Sequence, residues 1–431
     1  MSEKQEKYRM KYSIGSNFDP NLIHEIARID EHNAIATVFA KLRSDIVGGG
    51  RQSSILPNIS LNQVKKYVEL CHDNKIQFNY LLNPMCLGNK DLEASAHKKL
   101  LRYIDQLANI GVDYVTVNSP YLCELIKKRF PTLKISIGIY AGIFNIQHIK
   151  YWEEFGADEL TLQHSVNRNF NLLEKMLMYT KKSNISLRLI ANNICIHECP
   201  YQTSHGTGIA HASQKGQSTK KLYLDYYLAK CTYSKVSKLE NFIASDWIRP
   251  EDVKYYEELC EKTGNYNFSI KLVDRTRTTD FLTRVAKAYI NQEYNGNLLD
   301  ITAWQNIKEI ANVHIFESVL ESFTGRYNMK EVAKFDELFK VPSIYIDNKK
   351  LDGFINKFTN NYECDSTVCG AIGCSNSKDN ESVDGTVVCN YCKQWADKVI
   401  NINEDDSTVW KQNTEKILDS FKTSSIFGVK L

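Results

Sequence analysis

Apolar positions along the first two thirds of the chain follow two alternating rhythms: short β-rich runs, and longer stretches with a helical stripe. The β-rich runs cover residues 11–18, 34–42, 77–84, 114–119, 134–140, 159–164, 185–192 and 268–275, with 242–248 as a weaker ninth. Amphipathic patterns lie between them. In 94–111, for example, Leu100, Leu101, Ile104 and Leu107 share one helical face. Ser60 ahead of Leu61, and Pro250 at the head of another pattern, mark helix starts. About eight βα units in series predict an α/β fold, a (β/α)8 TIM-like barrel. No GxGxxG turn opens the first unit, which argues against an open doubly wound sheet. In such a barrel the chemistry belongs on the loops that follow the strands.

Two segments break the rhythm. Residues 193–240, after the seventh strand, form a polar insertion carrying Cys195, Cys199, His205, His211 and Cys231. Such a length in a regular βα series predicts a functional loop. From about residue 293 the βα alternation stops, and 365–385 is rich in Ser, Asn, Asp and Gly. The expected organisation is a barrel over 1–292 that includes a metal-binding insertion at 193–240, and a C-terminal extension over 293–431.

Composition narrows the class without naming a partner. With 43% hydrophobic and 24% charged residues, the chain of 431 reads as a soluble globular protein. A net charge of +3 permits RNA or an acidic small molecule but argues for neither. No apolar run approaches the roughly 18 residues of a membrane span. The polar, charged start Met1-Ser-Glu-Lys predicts no secretory signal and hence a cytoplasmic protein, with no membrane partner. Thiols stay reduced there, so twelve cysteines, several of them clustered, point to metal.

The cysteines form two groups. Cys195-Ile-His-Glu-Cys199-Pro follows the seventh strand, Cys86 follows the third, and Cys231 ends the insertion. All four are expected to converge on the barrel's active face. Four thiolates suit zinc or an iron–sulfur cluster by count. One pair plus two dispersed cysteines favours a [4Fe-4S] cluster, with ordinary buried thiols as the plain alternative. A radical S-adenosylmethionine enzyme needs a third cysteine where Gln202 stands, which argues against that class. The second group is Cys364-x4-Cys369-x4-Cys374-x14-Cys389-x2-Cys392, enough for one metal site with one cysteine spare. It suits a second iron–sulfur cluster or a zinc ion. Cys71, Cys123 and Cys260 lie on helical patterns and read as core residues.

Polar residues at or near the strand ends supply candidates for substrate binding: Asn83, Asn118, His164, Arg188, Asn192, Lys271 and Arg275. A positive group there suits a carboxylate or phosphate, because arginine offers a planar fork of donors. His205, His164 and Arg275 are the candidate catalytic residues, and Asn192, Lys271 and Arg188 the candidate cofactor-binding ones. His197, between the two loop cysteines, reads as a solvent-facing or loop-capping side chain. No GxSxG or HExxH occurs, so no hydrolase signature is present.

The barrel, the Cys195/Cys199 insertion, Cys231 and the segments Ile248-Arg-Pro-Glu-Asp-Val-Lys-Tyr-Tyr-Glu-Glu-Leu, Ser269-Ile-Lys-Leu-Val-Asp-Arg275 and Ala286-Lys-Ala-Tyr289 together resemble the peptidase U32 family. The resemblance spans roughly residues 11–300, and the tail resembles an extension found in part of that family. Several members are iron–sulfur proteins of oxygen-independent hydroxylation. They act on tRNA, ribosomal RNA or a ubiquinone precursor, with prephenate as oxygen source. The resemblance therefore implies a [4Fe-4S] cluster on Cys86, Cys195, Cys199 and Cys231, and a prephenate-like carboxylate partner. This chain departs from the family pattern. Leu187 and Asn192 stand where a Glu and a Gly are usual, the second cysteine follows the first after a shorter gap, and Val273-Asp274-Arg275 replaces Glu-Gly-Arg. The arginine is kept. The implied function is an oxidoreductase modifying a nucleic acid, a peptide or a small molecule. The alternatives are a U32-type peptidase and a non-catalytic iron–sulfur partner of RNA or protein.

Overall fold

The first four strands are β1 (Lys11–Gly15), β2 (Ile35–Ala40), β3 (Gln77–Leu81) and β4 (Tyr114–Val117). The next four are β5 (Lys134–Ile137), β6 (Glu159–Thr161), β7 (Ser186–Ile190) and β8 (Phe268–Leu272). They pair in parallel in chain order, and β8 closes on β1. The computed structural model describes residues 8–215, 224–304, 310–311, 326–360, 364, 369 and 389–429. Each of the eight expected runs contains one strand, so the (β/α)8 barrel stands. The ninth run, 242–248, does not add a strand. Its first part is the helix Glu240–Ala244, with Phe242, Ile243, Trp247 and Ile248 all buried. A short run buried on every side has no periodicity to separate strand from helix.

Local signals set the helix starts. Ser60 caps the helix Leu61–Asp73 in a reciprocal box, with its hydroxyl accepting the Gln63 N–H and the Gln63 side chain accepting the Ser60 N–H. Pro250 opens the turn Pro250–Asp252 that leads into the helix Val253–Thr263.

Inside the barrel a polar layer replaces the usual aliphatic one. Asn79, Thr116, Ser136, Thr161 and Arg188 are buried there. Thr116 donates to Asn79 at 2.8 Å, and Arg188 reaches Glu159 at 2.6 Å, Ser136 at 2.7 Å and Thr161 at 3.1 Å. Buried polar groups need such partners, because each left unpaired costs about 1–3 kcal/mol. The aliphatic core lies between strands and helices.

Among the described residues the extension has one small apolar cluster of its own, centred on Val332 and Ile426, and otherwise packs on the barrel. The last barrel helix, Thr279–Asn291, ends beside the expected boundary at 292. Beyond it, Leu298, Ile301, Ile346, Phe354, Trp410 and Leu418 join the apolar cluster that surrounds the barrel. A small antiparallel sheet of β9 (Ile344–Ile346) and β10 (Ile400–Ile402) belongs to this layer. The tail helix Glu404–Lys422 packs on the insertion helix Tyr226–Ser237, with Phe421 and Tyr226 rings 5.3 Å apart. The tail helix Tyr391–Val399 packs on Glu240–Ala244.

One buried cation ties these parts together. Arg168, just after β6, donates to the carbonyls of Ile243 at 2.9 Å, Ser245 at 2.6 Å and Trp247 at 3.1 Å. Its guanidinium also lies 4.4 Å from the Trp247 ring centroid and 4.8 Å from that of Phe354 in the extension. Arg168→Met removes the donors of three buried carbonyls and a cation–π contact, so a loss of about 3 kcal/mol or more in unfolding free energy is expected. Urea denaturation of wild type and variant measures it. Arg168→Lys is expected to recover only part, since an ammonium lacks the planar fork.

Candidate active site

Alternation along β8 and its continuation points Lys271 and Arg275 towards the barrel axis. Gly15 at the end of β1 makes room for this, because a Cβ there would meet the backbone nitrogen of Arg275 at 2.8 Å. Most charges at the C-terminal mouth are paired. Lys41 binds Asp45 at 2.9 Å, Arg51 binds Asp274 at 3.1 Å, and Arg188 binds Glu159. Arg277 donates to the Trp304 carbonyl. Arg275 differs: it is buried, yet its Nε and Nη2 have no hydrogen-bond partner.

Those two nitrogens form the side-on edge of the guanidinium, the edge that takes a carboxylate with two parallel bonds. Burial, and then the like charge of Arg51, bring Arg275 down to about 10, opposed by Asp274, Tyr140 and Tyr80. Burial likewise lowers Lys271 well below the ordinary lysine range, with Arg188 adding to it. Its ammonium lies 4.0 Å from the Phe39 ring centroid. The mouth therefore holds cationic capacity that its own carboxylates do not use.

The insertion brings three cysteines beside this cationic floor. Although Cys195 is exposed as a residue, the atoms packed around its sulfur push the thiol up to about 11, with Lys235 opposing and Cys231 and Cys199 adding. Lys235 is buried, and its ammonium sits 2.8 Å from the Cys231 sulfur. A buried ammonium against sulfur suits a thiolate, the form that binds metal, so the donor set fits a soft metal centre. Cys86 joins the rim through its backbone: Gln214 donates to its carbonyl at 2.6 Å, and its thiol accepts the Gly88 N–H at 3.4 Å. Among the described residues, no three His, Cys, Asp or Glu side chains are assembled to hold one metal ion. Tyr140 links the two halves of the mouth, since Arg51, Cys195, Arg275 and Asp225 all act on its hydroxyl.

The histidines divide by partner. His164 Nε2 meets the Asn193 amide at 2.7 Å, and the Asn193 oxygen faces Cys195 at 3.5 Å. Burial lowers the His164 pKa, with Asp246 opposing, so a neutral ring accepting from Asn193 satisfies both groups. His205 lies 3.0 Å from Asp225, which also caps the helix Tyr226–Ser237. It thus fixes the arm that carries Cys231. His197 pairs with Asp246 at 2.8 Å, and although burial alone would lower its pKa, Asp246 outweighs that and raises it.

Two candidate ligand-binding residues are engaged in the framework instead. Arg188 has its donors occupied in the barrel layer, because the strand register sets Thr161 opposite it. Asn192 is fully buried, with its amide donating to the carbonyls of Val273 and Ile301 and its oxygen accepting the Val273 N–H at 2.7 Å. It joins β7, β8 and the extension. Asn118 donates to the Asn83 carbonyl at 2.9 Å and so shapes the β3 loop.

Sequence reasoning passed over Arg51, Asp274 as its partner, Lys235 and Tyr140. The run Gly48-Gly-Gly-Arg51 carried a signal for the first, since Gly48 has φ +81° and a Cβ on it would meet Gln214 at 2.6 Å. In the extension, Cys369 and Cys389 form an isolated bridge and both act on Cys364 and Cys392, the four are not drawn into a metal-holding set, and Cys374 lies outside the described residues. Cys71, Cys123 and Cys260 are buried core thiols, as expected.

The Arg51–Asp274 pair gives a pH prediction. Burial alone would raise Asp274, but Arg51 and Arg277 hold it well below the usual carboxylate range. A depressed folded-state pKa adds stability above the ordinary value of about 3.9, and that stability is lost as pH falls below it. Asp274→Asn is expected to destabilise the protein at pH 7 by about 3 kcal/mol, because Arg51 and Arg277 lose their counter-charge. The gap to wild type should narrow below about pH 4. Thermal melts across pH 3–7 would reveal it.

The profile of peptidase family U32 matches residues 50–290. An uncharacterized protease of Methanocaldococcus jannaschii is 25% identical over 386 residues, which cover 87% of this chain and 95% of that protein. A solved U32 peptidase structure is 17% identical with a TM-score of 0.43, covering 64% of this chain and 96% of that one. A mandelate racemase/muconate lactonizing protein of Paracoccus denitrificans is 12% identical with a TM-score of 0.28, covering 44% and 49% of the two chains. With more than half its length matched by the profile and a closed barrel presenting the cysteine-bearing insertion at its mouth, this chain belongs to peptidase family U32.

Proposed function

We propose that this chain is an iron–sulfur enzyme of oxygen-independent hydroxylation, or of a related redox modification, that uses a carboxylate-bearing oxygen donor resembling prephenate. The observation that carries the reading is the unpartnered Nε/Nη2 edge of buried Arg275 in the mouth that Cys195, Cys199 and Cys231 share with Tyr140. In this reading those three cysteines and Cys86 hold a [4Fe-4S] cluster. When bound, such a cluster supplies one-electron chemistry and an iron site able to take a substrate oxygen.

The chain's own residues do the rest. Arg275 binds the donor carboxylate side-on, and Lys271 adds a second, partly desolvated cation. Tyr140 offers a hydroxyl between carboxylate and cysteine centre. His164, held neutral against Asn193, is a base rather than an acid at the rim. The substrate that receives the oxygen is an RNA, a peptide or a small molecule.

A second reading has one observation in its favour: the relative from Methanocaldococcus jannaschii is named an uncharacterized protease. It lacks an activated nucleophile among the described residues of the mouth. The Cys195 thiol is pushed up to about 11 rather than down, and His164 is held from charging. Peptide cleavage that survives Cys195→Ser would support the protease and sink the redox reading.

The expected results for the redox reading are concrete. Anaerobically purified wild type should contain iron and acid-labile sulfide, and Cys195→Ser should lose both. Prephenate should bind wild type by calorimetry, and Arg275→Met should weaken that binding about tenfold or more, the worth of a charge-assisted pair. Iron-free wild type, or equal prephenate binding by the variant, would overturn it.

A further inference from the structure

The extension's four described cysteines arrive as two short-spaced pairs, Cys364-x4-Cys369 and Cys389-x2-Cys392. The backbone joins the pairs, because Cys369 and Cys389 form an isolated parallel bridge. Cys392 lies in the first turn of the helix Tyr391–Val399, where free N–H groups favour a thiolate. The Cys392 thiol is acted on by Cys364, Cys369 and Cys389 together. The Arg168 guanidinium acts on both Cys364 and Cys392.

None of the four is in a disulfide. Cys364 is exposed and the other three are half-buried, with the Lys357 ammonium 3.8 Å from the Cys389 sulfur, so a soft cation can reach the group and bind the sulfurs in place of their protons. Two short-spaced pairs are the ligand pattern of a closed tetrahedral zinc site, unlike the one pair and two dispersed cysteines at the barrel mouth.

We propose that Cys364, Cys369, Cys389 and Cys392 hold a structural zinc ion that clasps the extension onto the insertion. The clasp has a definite point of attachment. Helix Tyr391–Val399 packs on Glu240–Ala244, and Arg168 fastens the carbonyls that follow that short helix. Asp246, next in the chain, bonds His197 between Cys195 and Cys199. Zinc in the tail thereby fixes the loop that presents two mouth cysteines. The sulfurs draw inward on binding, so the ion's free energy adds to folding. This site stands independently of the cluster proposed at the mouth.

The test is metal analysis of the full-length chain, purified without added metal, as wild type, Cys389→Ser, Cys392→Ser and Cys195→Ser. Wild type and Cys195→Ser should carry a single zinc per chain. Both tail variants should lose it and unfold several degrees lower, with any iron and sulfide retained. Should the tail variants fail to fold, wild type exchanged with Co²⁺ should show the sulfur-to-metal absorption of a tetrathiolate site. Absence of zinc from wild type, retention of zinc in both tail variants, loss of iron in place of zinc, a Cys369–Cys389 disulfide, or a Co²⁺ spectrum without thiolate ligands would each overturn the proposal.

Discussion

A buried arginine that forms no ion pair with a carboxylate among the described residues, Arg168, is the interaction on which the mouth and the tail both depend. It spends its donors on the carbonyls of Ile243, Ser245 and Trp247 and its faces on aromatic rings from two parts of the chain. Carbonyls in an irregular segment have no ladder to satisfy them, and the guanidinium serves as a substitute ladder. The segment it holds runs from the insertion back to β8. On one side of it stands His197 in the Cys195–Cys199 loop, bound by Asp246. On the other stand Cys364 and Cys392, on which the same cation acts.

The mouth follows a related economy of charge. Lys41, Arg51 and Arg188 each have a carboxylate within 3.1 Å, so they shape the site without dominating its potential. Arg275 is desolvated and left with its carboxylate-binding edge open. Desolvation raises the worth of the first anion that arrives, because no water competes for the fork. Lys235 plays the corresponding part on the cysteine side, where its buried ammonium rests against Cys231.

Much of the frame was legible in the chain. Every barrel strand sits inside a run whose alternation or apolar density announced it, whereas β9 and β10 do not, and the Ser60 box and Pro250 turn lie where their residue types require them. Cys195 and Cys199 were legible as a pair because they share one loop. The partners that Arg188 and Asn192 find in the frame were not legible for a common reason: a polar residue at a strand end looks the same in sequence whether it faces a ligand or a neighbouring strand. The register of β6 against β7 engaged Arg188 with Thr161, and the approach of Val273 and Ile301 engaged Asn192.

The sequence by itself determined the barrel, because period-2 and helical patterning are local and each βα unit carries its own start signals. It determined also that two groups of thiols exist, since their spacing is written in the chain. Only the tertiary structure decided which charges cancel. Arg51 and Asp274 lie far apart in the chain and meet at 3.1 Å, and that meeting leaves Arg275 as the open cation. Only the fold, likewise, set Cys364 within reach of Arg168 and Asp246. Pairing and burial depend on distance in space, and local patterning carries no record of it.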